Sequence, residues 1–226
     1  VMLPLLVLRR LDAVLEPTKA KVLSTAQGRE DNAGTRALLR KAAGQQFFNT
    51  SPLTFTTLLN DDKNVAAALR HYINGFSPDA VEVLEEYRFD DKITRLDKAG
   101  ILYQVLGDFA DLDLHPDVVS NEAMGYIFEE LLRRFSEMSN ETAGEHYTPR
   151  EVIRLMVSLL FCEDEDALSG ERPVRTIYDP AAGTGGMLTV AQKTLKGMNP
   201  NALMEVYGQE LHHEPWGIAR SALMIS

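Results

Sequence analysis

The chain has 226 residues, of which 45% are hydrophobic and 25% are charged, and its net charge is −10. This length and hydrophobic content predict one or two globular domains with buried cores. The acidic balance argues against a strongly basic surface that grips DNA, so we expect intrinsic DNA affinity to be weak. Arg36, Arg40 and Lys41 form a local basic patch within this acidic chain.

The N-terminal segment and the single cysteine argue against export and membrane insertion. Residues 2–11 are apolar, but they are too few to span a bilayer, and they lack a preceding basic stretch and a small-residue cleavage site. We expect this segment to form a buried first helix. Cys162 is expected to be a core thiol, and because the five histidines show no ligand-like arrangement, no metal site is predicted. The expected location is the cytoplasm, without membrane contact.

The first 142 residues are predicted to form a helical domain. Apolar residues recur there every three or four positions, and strand signals are few. Residues 136–144 are polar and are predicted to lead into an α/β part over residues 143–226. The segments with helical spacing are 54–59, 64–74, 78–87, 93–109 and 120–137.

The α/β part opens with a helix start. Residues 148–151 read Thr-Pro-Arg-Glu, in which Thr148 is the predicted N-cap, Pro149 suits the first helical position and Glu151 reaches back to the cap. The residues predicted to face the core behind this start are Ile153, Met156, Val157 and Leu160. Taken alone, the pattern requires no ligand.

A glycine-rich turn then connects a strand to a helix. Residues 176–178 are a predicted buried strand, residues 187–195 are a predicted helix, and residues 179–186 between them read Asp-Pro-Ala-Ala-Gly-Thr-Gly-Gly. Glycines can adopt positive φ and let a ligand approach the backbone, while the helix start offers unpaired N–H groups. Nucleotides bind at such a turn in βαβ units, although similar turns also occur without a ligand.

The spacing and charge of this turn limit which class of nucleotide it can bind. The spacing differs from the Gly-x-Gly-x-x-Gly pattern of dinucleotide-binding folds. Asp179 would repel a phosphate, but it can accept hydrogen bonds from an ammonium group such as that of S-adenosylmethionine. The next predicted strand is followed by Glu210, where an acid can bind both ribose hydroxyls; a solvated residue at a helix start is the alternative. We predict an adenosine ligand that carries no phosphate.

Two of these motifs together resemble a known family. Residues 144–150, Gly-Glu-His-Tyr-Thr-Pro-Arg, and the turn at residues 179–186 are similar to the paired cofactor motifs of amino-methylating DNA methyltransferases. Their order resembles that in the modification subunits of type I restriction-modification systems. Residues 72–77 and 121–135 also resemble the helical lead-in of that subunit. The resemblance covers roughly residues 50–226.

The resemblance implies an α plus α/β fold, with an N-terminal helical domain followed by the start of a Rossmann-like S-adenosylmethionine-dependent methyltransferase domain. In the family the Tyr-Thr-Pro segment lies across the methionine end of the cofactor, although Tyr147 could instead only pack. Pro215 or Trp216 could flank the adenine ring, with core packing as the alternative. The implied cofactor-binding residues are Glu145, His146, Tyr147, Thr148, Pro149, Arg150, Asp179, Ala181, Gly183, Thr184, Gly185, Gly186 and Glu210.

The motif that performs adenine methylation does not occur in this sequence. That motif reads Asn/Asp-Pro-Pro-aromatic, and it holds the amino group and stacks on the flipped base. Residues 199–201, Asn-Pro-Asn, are predicted to be a turn behind a helix that ends near Gly197. We therefore expect a truncated methyltransferase domain, with the catalytic motif after Ser226 and no catalytic residue before it.

Three functions remain open at this stage. The first is an adenine-specific DNA methyltransferase subunit of a type I restriction-modification complex, which transfers a methyl group from S-adenosylmethionine to the adenine amino group. For this function the resemblance implies a specificity subunit, which would carry most contacts with double-stranded DNA, and a restriction subunit as partners. The second is an S-adenosylmethionine-dependent methyltransferase that acts on something other than DNA. The third is a non-catalytic assembly fragment.

Overall fold

The computed structural model describes residues 2–139, 148–162, 171 and 173–225. Two compact units divide the chain between Met124 and Gly125. The domain boundary predicted at residues 142–143 lies outside the described residues and stays a prediction. Within the described ranges, no helix combines the length and the apolar character that crossing a bilayer requires.

The first unit is helical, which confirms the predicted helical domain at the N-terminus. Two short 3₁₀ turns, Glu16–Thr18 and Thr57–Asn60, separate some of its helices. The α-helices are α1 (Met2–Leu15), α2 (Lys19–Ala26), α3 (Ala33–Ala43), α4 (Val65–Asn74), α5 (Pro78–Glu86), α6 (Phe89–Lys98), α7 (Leu102–Ala110) and α8 (Asn121–Ser139), within which the two units divide.

Helix α1 lies at the centre of this unit, as the apolar opening segment predicts. All of its residues except Met2 are buried, and a helix that is apolar on most sides belongs in a core. Its charged residues therefore need partners. The guanidinium of Arg10 donates to the carbonyls of Leu114 and Val119 and to Oδ1 of Asn121, and burial lowers the pKa of Arg10 to about 10.

Asp12 joins α1 to the rest of the first unit. Its carboxylate accepts hydrogen bonds from Nη1 of Arg9 at 3.1 Å, from the hydroxyl of Tyr72 at 2.5 Å and from the backbone N–H of Phe55 at 3.3 Å. Burial, together with the nearby charge of Asp12, raises the pKa of Tyr72. Lys19 lies over the ring of Tyr72, and burial lowers its pKa to about 8.

Two helix predictions in this unit are wrong in detail. The helix predicted over residues 93–109 is broken into α6 and α7 at Gly100, which has a φ of +69° and ends α6 in the left-handed region. The segment 54–59 forms only a 3₁₀ turn, in which the backbone N–H and side chain of Thr57 bond to Thr54. These local side-chain bonds compete with a regular helix.

The second unit contains the predicted strand, turn, helix and strand, but the first strand is not buried as predicted, because Tyr178 is 57% exposed. Its two strands are parallel, paired from Val174 with Leu203 to Asp179 with Gly208. A helix crosses between them, as parallel neighbours require. The elements are the end of α8, α9 (Arg150–Cys162), β1 (Val174–Asp179), α10 (Gly186–Met198), β2 (Leu203–Gly208) and α11 (His213–Ile225).

Helices α9 and α10 cover one face of the small sheet. Ile153 and Val157 of α9 and Ala191 of α10 are buried together, with Ile177 of β1 and Met204 of β2 packed against them. This confirms two of the predicted core positions of α9, Ile153 and Val157.

Three predicted core residues of α9 are instead exposed. Met156 is 42% exposed, Leu160 is 58% exposed, and Cys162 is also exposed. Ile153 and Val157 are four residues apart and share the row that faces α10, whereas Met156 and Leu160 lie on a neighbouring row. The apolar stripe of α9 is therefore wider than the surface that α10 buries.

Candidate functional site

The carboxyl ends of β1 and β2 meet at one edge of the sheet. The backbone N–H of Gln209 donates to the carbonyl of Asp179 at 2.9 Å, and the N–H of Ala182 donates to the carbonyl of Gln209 at 2.8 Å. The hydroxyl of Tyr178 donates to Oε1 of Gln209 at 3.0 Å. These bonds attach the glycine turn to the end of the neighbouring strand.

The three glycines of the turn serve different purposes. Gly183 has a φ of +52°, and a Cβ built on it would meet no atom within 4 Å. Gly185 has a φ of +76°, and its Cβ would lie 3.0 Å from Cβ of Ala219 in α11. Gly186 begins α10, and its Cβ would lie 2.8 Å from Cδ1 of Ile153. Packing and positive φ therefore favour glycine at position 185, a side chain at position 186 would require Cδ1 of Ile153 to move, and Gly183 borders open space.

Two carboxylates accept hydrogen bonds from the backbone of the glycine turn. Oδ1 of Asp179 accepts a hydrogen bond from the N–H of Ala181 at 3.1 Å. Glu210 accepts one from the N–H of Gly183 at 2.9 Å and one from the N–H of His212 at 2.8 Å, each with a different oxygen. Glu210 is thus more than a solvated residue at a helix start, because it ties the end of β2 to the glycine turn. A carboxylate has about four lone-pair sites, so both acids can accept further hydrogen bonds.

The Tyr-Thr-Pro segment is described only in part. Glu145, His146 and Tyr147 lie outside the described residues. Thr148 and Pro149 are exposed, and the carbonyl of Pro149 accepts the first helical bond of α9, from the N–H of Ile153 at 3.0 Å. Helix α9 therefore begins at Arg150, one residue later than the predicted start at Pro149.

Arg150 is buried, with 9% of its surface exposed. The centre of its guanidinium lies 5.1 Å from the ring centroid of Tyr126 in α8. Its Nη2 atom occupies the place where a Cβ on Gly125 would stand, 1.6 Å from that position. A cofactor contact by this side chain stays a prediction, and the contacts described here join Arg150 to α8.

The remaining predicted ligand contacts are accessible. Ala181 is exposed, and Thr184 and Pro215 are partly exposed. Trp216 is also partly exposed, and the guanidinium of Arg220 lies 4.8 Å from its ring centroid. The indole is therefore not a fully buried core residue, and its predicted role beside an adenine ring stays a prediction.

The predicted basic patch of the first unit is largely neutralised. Arg36 forms an ion pair with Asp31 at 2.6 Å, and Arg40 forms one with Asp79 at 2.5 Å. The hydrogen bonds to Arg36 lower the pKa of Asp31 and raise that of Arg36. The local basic patch is therefore balanced by acids, one of them, Asp31, five residues from Arg36 and the other, Asp79, 39 residues from Arg40.

Sequence reasoning missed Gln209 and Gly208 of the site. Gln209 links β1, β2 and the turn through its backbone and side chain. A Cβ on Gly208 would lie 3.0 Å from Cδ1 of Leu188 and 3.1 Å from Cβ of Ala182, so only glycine fits without displacement. The signal available in the sequence was position, because both residues directly precede the predicted ribose-binding acid.

This arrangement suits a ligand with a positive charge and several hydroxyl donors. Two carboxylates make the edge of the sheet negative, which disfavours phosphate and favours an ammonium or sulfonium group. The start of α10 adds backbone N–H groups beside them. Among the described residues, no group of three histidine, cysteine or acidic side chains is placed to hold a metal ion.

Comparison with known families divides the chain near the same place as the fold. A family model for the HsdM N-terminal domain matches residues 1–109. A second model, for N-6 DNA methylases, matches residues 119–226. Together the two models account for nearly the whole chain.

Individual relatives agree with these models. The chain is 32% identical over 151 residues to the methylase subunit of the type I restriction enzyme EcoEI from Escherichia coli, covering 63% of this chain and 27% of the relative. It is 29% identical over 157 residues to the MjaIX methylase subunit of Methanocaldococcus jannaschii, covering 65% and 26%. The chain thus spans about a quarter of the length of these relatives. With an HsdM N-terminal domain followed by the start of an N-6 DNA methylase domain, the chain belongs to the family of type I restriction enzyme methylase subunits.

Proposed function

We propose that residues 143–226 form the start of a Rossmann-like domain that binds S-adenosylmethionine for methylation of the adenine amino group in DNA. The observation that carries the proposal is the pair of carboxylates, Asp179 and Glu210, at the ends of two adjacent parallel strands, where both accept hydrogen bonds from the backbone of a positive-φ glycine turn. Membership in the methylase-subunit family supports the same function.

The residues present fit this cofactor. Gly183 borders open space where an adenosine can approach the backbone. Each oxygen of Glu210 retains a lone pair beside its backbone bond, so the carboxylate can accept both ribose hydroxyls at once. Asp179 has one oxygen bonded to Ala181, and we assign to its carboxylate the acceptance of hydrogen bonds from the ammonium group. We assign the remaining contacts to residues 145–149, Ala181 and Thr184.

The chemistry needs positioning more than acid–base catalysis. When bound, S-adenosylmethionine supplies a methyl group that is already reactive on its sulfonium. The task of Asp179 and Glu210 is to fix the two ends of the molecule, and that of Thr148 and Pro149 is to limit its movement and exclude water. We expect the groups that hold the target adenine of the DNA to come from other parts of the methylase domain.

The proposed setting is a type I restriction-modification complex in the cytoplasm. The described surface offers no free basic patch at Arg36 and Arg40, because both are paired with acids. This supports a division of labour in which a specificity subunit makes most of the DNA contacts. A restriction subunit would be the third component.

Methyl transfer to DNA tests the proposal. The full-length native protein, with its partner subunits, is incubated with tritiated S-adenosylmethionine and unmethylated genomic DNA from a strain that lacks the system. We expect label in N6-methyladenine, with initial rates at least about tenfold lower for Asp179→Asn and Glu210→Gln at subsaturating cofactor. Glu205→Gln, on the exposed face of β2, is the matched control and should retain the rate. Label in another base, or rates unaffected by both substitutions, would contradict the proposal.

A further inference from the structure

Two side chains in the first turn of α9 pack closely against glycines of two other helices. On one side, Nη2 of Arg150 occupies the space left by the missing Cβ of Gly125 in α8. On the other side, Cδ1 of Ile153 occupies the corresponding space at Gly186, the first residue of α10. A Cβ at either glycine would require the α9 side chain that packs against it to move.

The contact with α8 pairs a guanidinium with an aromatic ring. The guanidinium of Arg150 lies 5.1 Å from the ring centroid of Tyr126, within the range of a cation–π interaction. Arg150 is 9% exposed, so this interaction is largely shielded from water. On the next turn of α9, Nη2 of Arg154 donates to the hydroxyl of Tyr126 at 3.2 Å. Tyr126 therefore contacts two successive turns of α9.

The contact between Arg150 and α8 lies next to residues that we assign to the cofactor site. Arg150 is the first residue of α9, and Thr148 and Pro149 precede it directly. Gly186 is the last residue of the glycine turn and the first residue of α10. We propose that Gly125, Tyr126 and Arg150 are positioning residues, which fix the start of α9 and with it Thr148 and Pro149, and thereby set the affinity for S-adenosylmethionine. This inference rests on the proposed function, because it assigns Thr148 and Pro149 to the cofactor.

A double-mutant cycle tests the inference in the full-length native protein, with S-adenosylmethionine binding measured by calorimetry. Gly125→Ala displaces the guanidinium and Arg150→Ala removes it, and each is expected to raise Kd about tenfold, the size of one shielded cation–π contact. Because both act through the same guanidinium, the double variant should bind no more weakly than Arg150→Ala alone. Tyr126→Phe keeps the ring and should bind like the wild type, whereas Tyr126→Leu should not.

A matched control separates positioning from a general effect of alanine in a helix. Gly197 lies within α10, and a Cβ on it would meet no atom within 4 Å. Gly197→Ala should therefore leave Kd unchanged. An unchanged Kd for Arg150→Ala, or additive effects of Gly125→Ala and Arg150→Ala, would overturn the inference.

Hydrogen exchange distinguishes failure of the inference from failure of the proposed function. In the cofactor-free protein, Arg150→Ala should speed exchange of the amides in residues 150–157, while exchange in β1 stays at the wild-type rate. A wild-type protein that binds no S-adenosylmethionine would contradict the proposed function whatever the exchange data show. Wild-type binding together with unchanged exchange in Arg150→Ala would overturn the positioning role alone.

Discussion

Replacement of Asp12 by alanine should severely destabilise the first unit. The substitution leaves three donors without their acceptor: Nη1 of Arg9, the hydroxyl of Tyr72 and the N–H of Phe55. These residues are 8%, 1% and 0% exposed, so water cannot readily replace the carboxylate. Loss of one partner of a buried ion pair costs about 3–5 kcal/mol, and we expect a loss of about 4 kcal/mol in the free energy of unfolding.

Native-state hydrogen exchange of peptides from α1 and α4 measures this loss, because it reports the opening free energy of the first unit within the whole protein. Asp12→Asn keeps an acceptor but loses the charge, and should lie between the alanine variant and the wild type. Asp31→Ala is the control, because Asp31 also pairs with an arginine but its side chain is 67% exposed; no measurable change is expected. A loss below about 1 kcal/mol for Asp12→Ala would refute the view that this carboxylate joins the unit together.

Two further predictions concern pH and the glycine turn. Burial lowers the pKa of Lys19 to about 8 in the folded state, so the unfolded state binds more protons above that pH and stability rises as the lysine is neutralised. Because Lys19 is only partly buried and solvent screens its charge, the opening free energy of the wild type relative to Lys19→Met should increase by about 1 kcal/mol between pH 7 and 9.5, and a flat or falling difference would contradict this. In the turn, Gly185→Ala meets both positive φ and Ala219, and should speed exchange of the α11 amides. Gly183→Ala has space for the methyl group but meets the same positive-φ strain, which costs about 1 kcal/mol of conformational free energy, and its chief effect should be weaker cofactor binding in calorimetry. Faster exchange of the α11 amides in Gly183→Ala than in Gly185→Ala would show that these different roles of the two glycines are wrong.

The central part of the candidate site was predictable from the sequence. A short apolar strand, a turn of small residues and a helix leave few alternatives, and the predicted order of strand, turn, helix and strand matches β1, α10 and β2. The role of Glu210 in holding the turn was not predictable, because its bond to Gly183 depends on how the two strands pair. The parallel register brings the two positions together.

Other errors have a common physical cause, which is that apolar spacing does not reveal how much of a surface is covered. Met156 and Leu160 follow a helical pattern yet lie exposed beside the buried row of α9. Gly125 entered the sequence-based prediction only as one residue of the segment that resembles the family's helical lead-in, although an isolated glycine inside a helical pattern often marks close packing. Its partner, Arg150, was predicted from a motif as a ligand contact, and only the structure places the guanidinium on α8.

Calorimetric titration of the full-length protein with S-adenosylmethionine tests the cofactor site most directly. We expect saturable binding that both Asp179→Asn and Glu210→Gln weaken by at least about tenfold, since each removes one carboxylate from a site with two. NADPH, which carries phosphates, should not compete, because Asp179 and Glu210 make this edge negative. Absence of binding in a folded wild-type protein, or binding that survives both substitutions, would contradict the assignment of these two strand ends to S-adenosylmethionine.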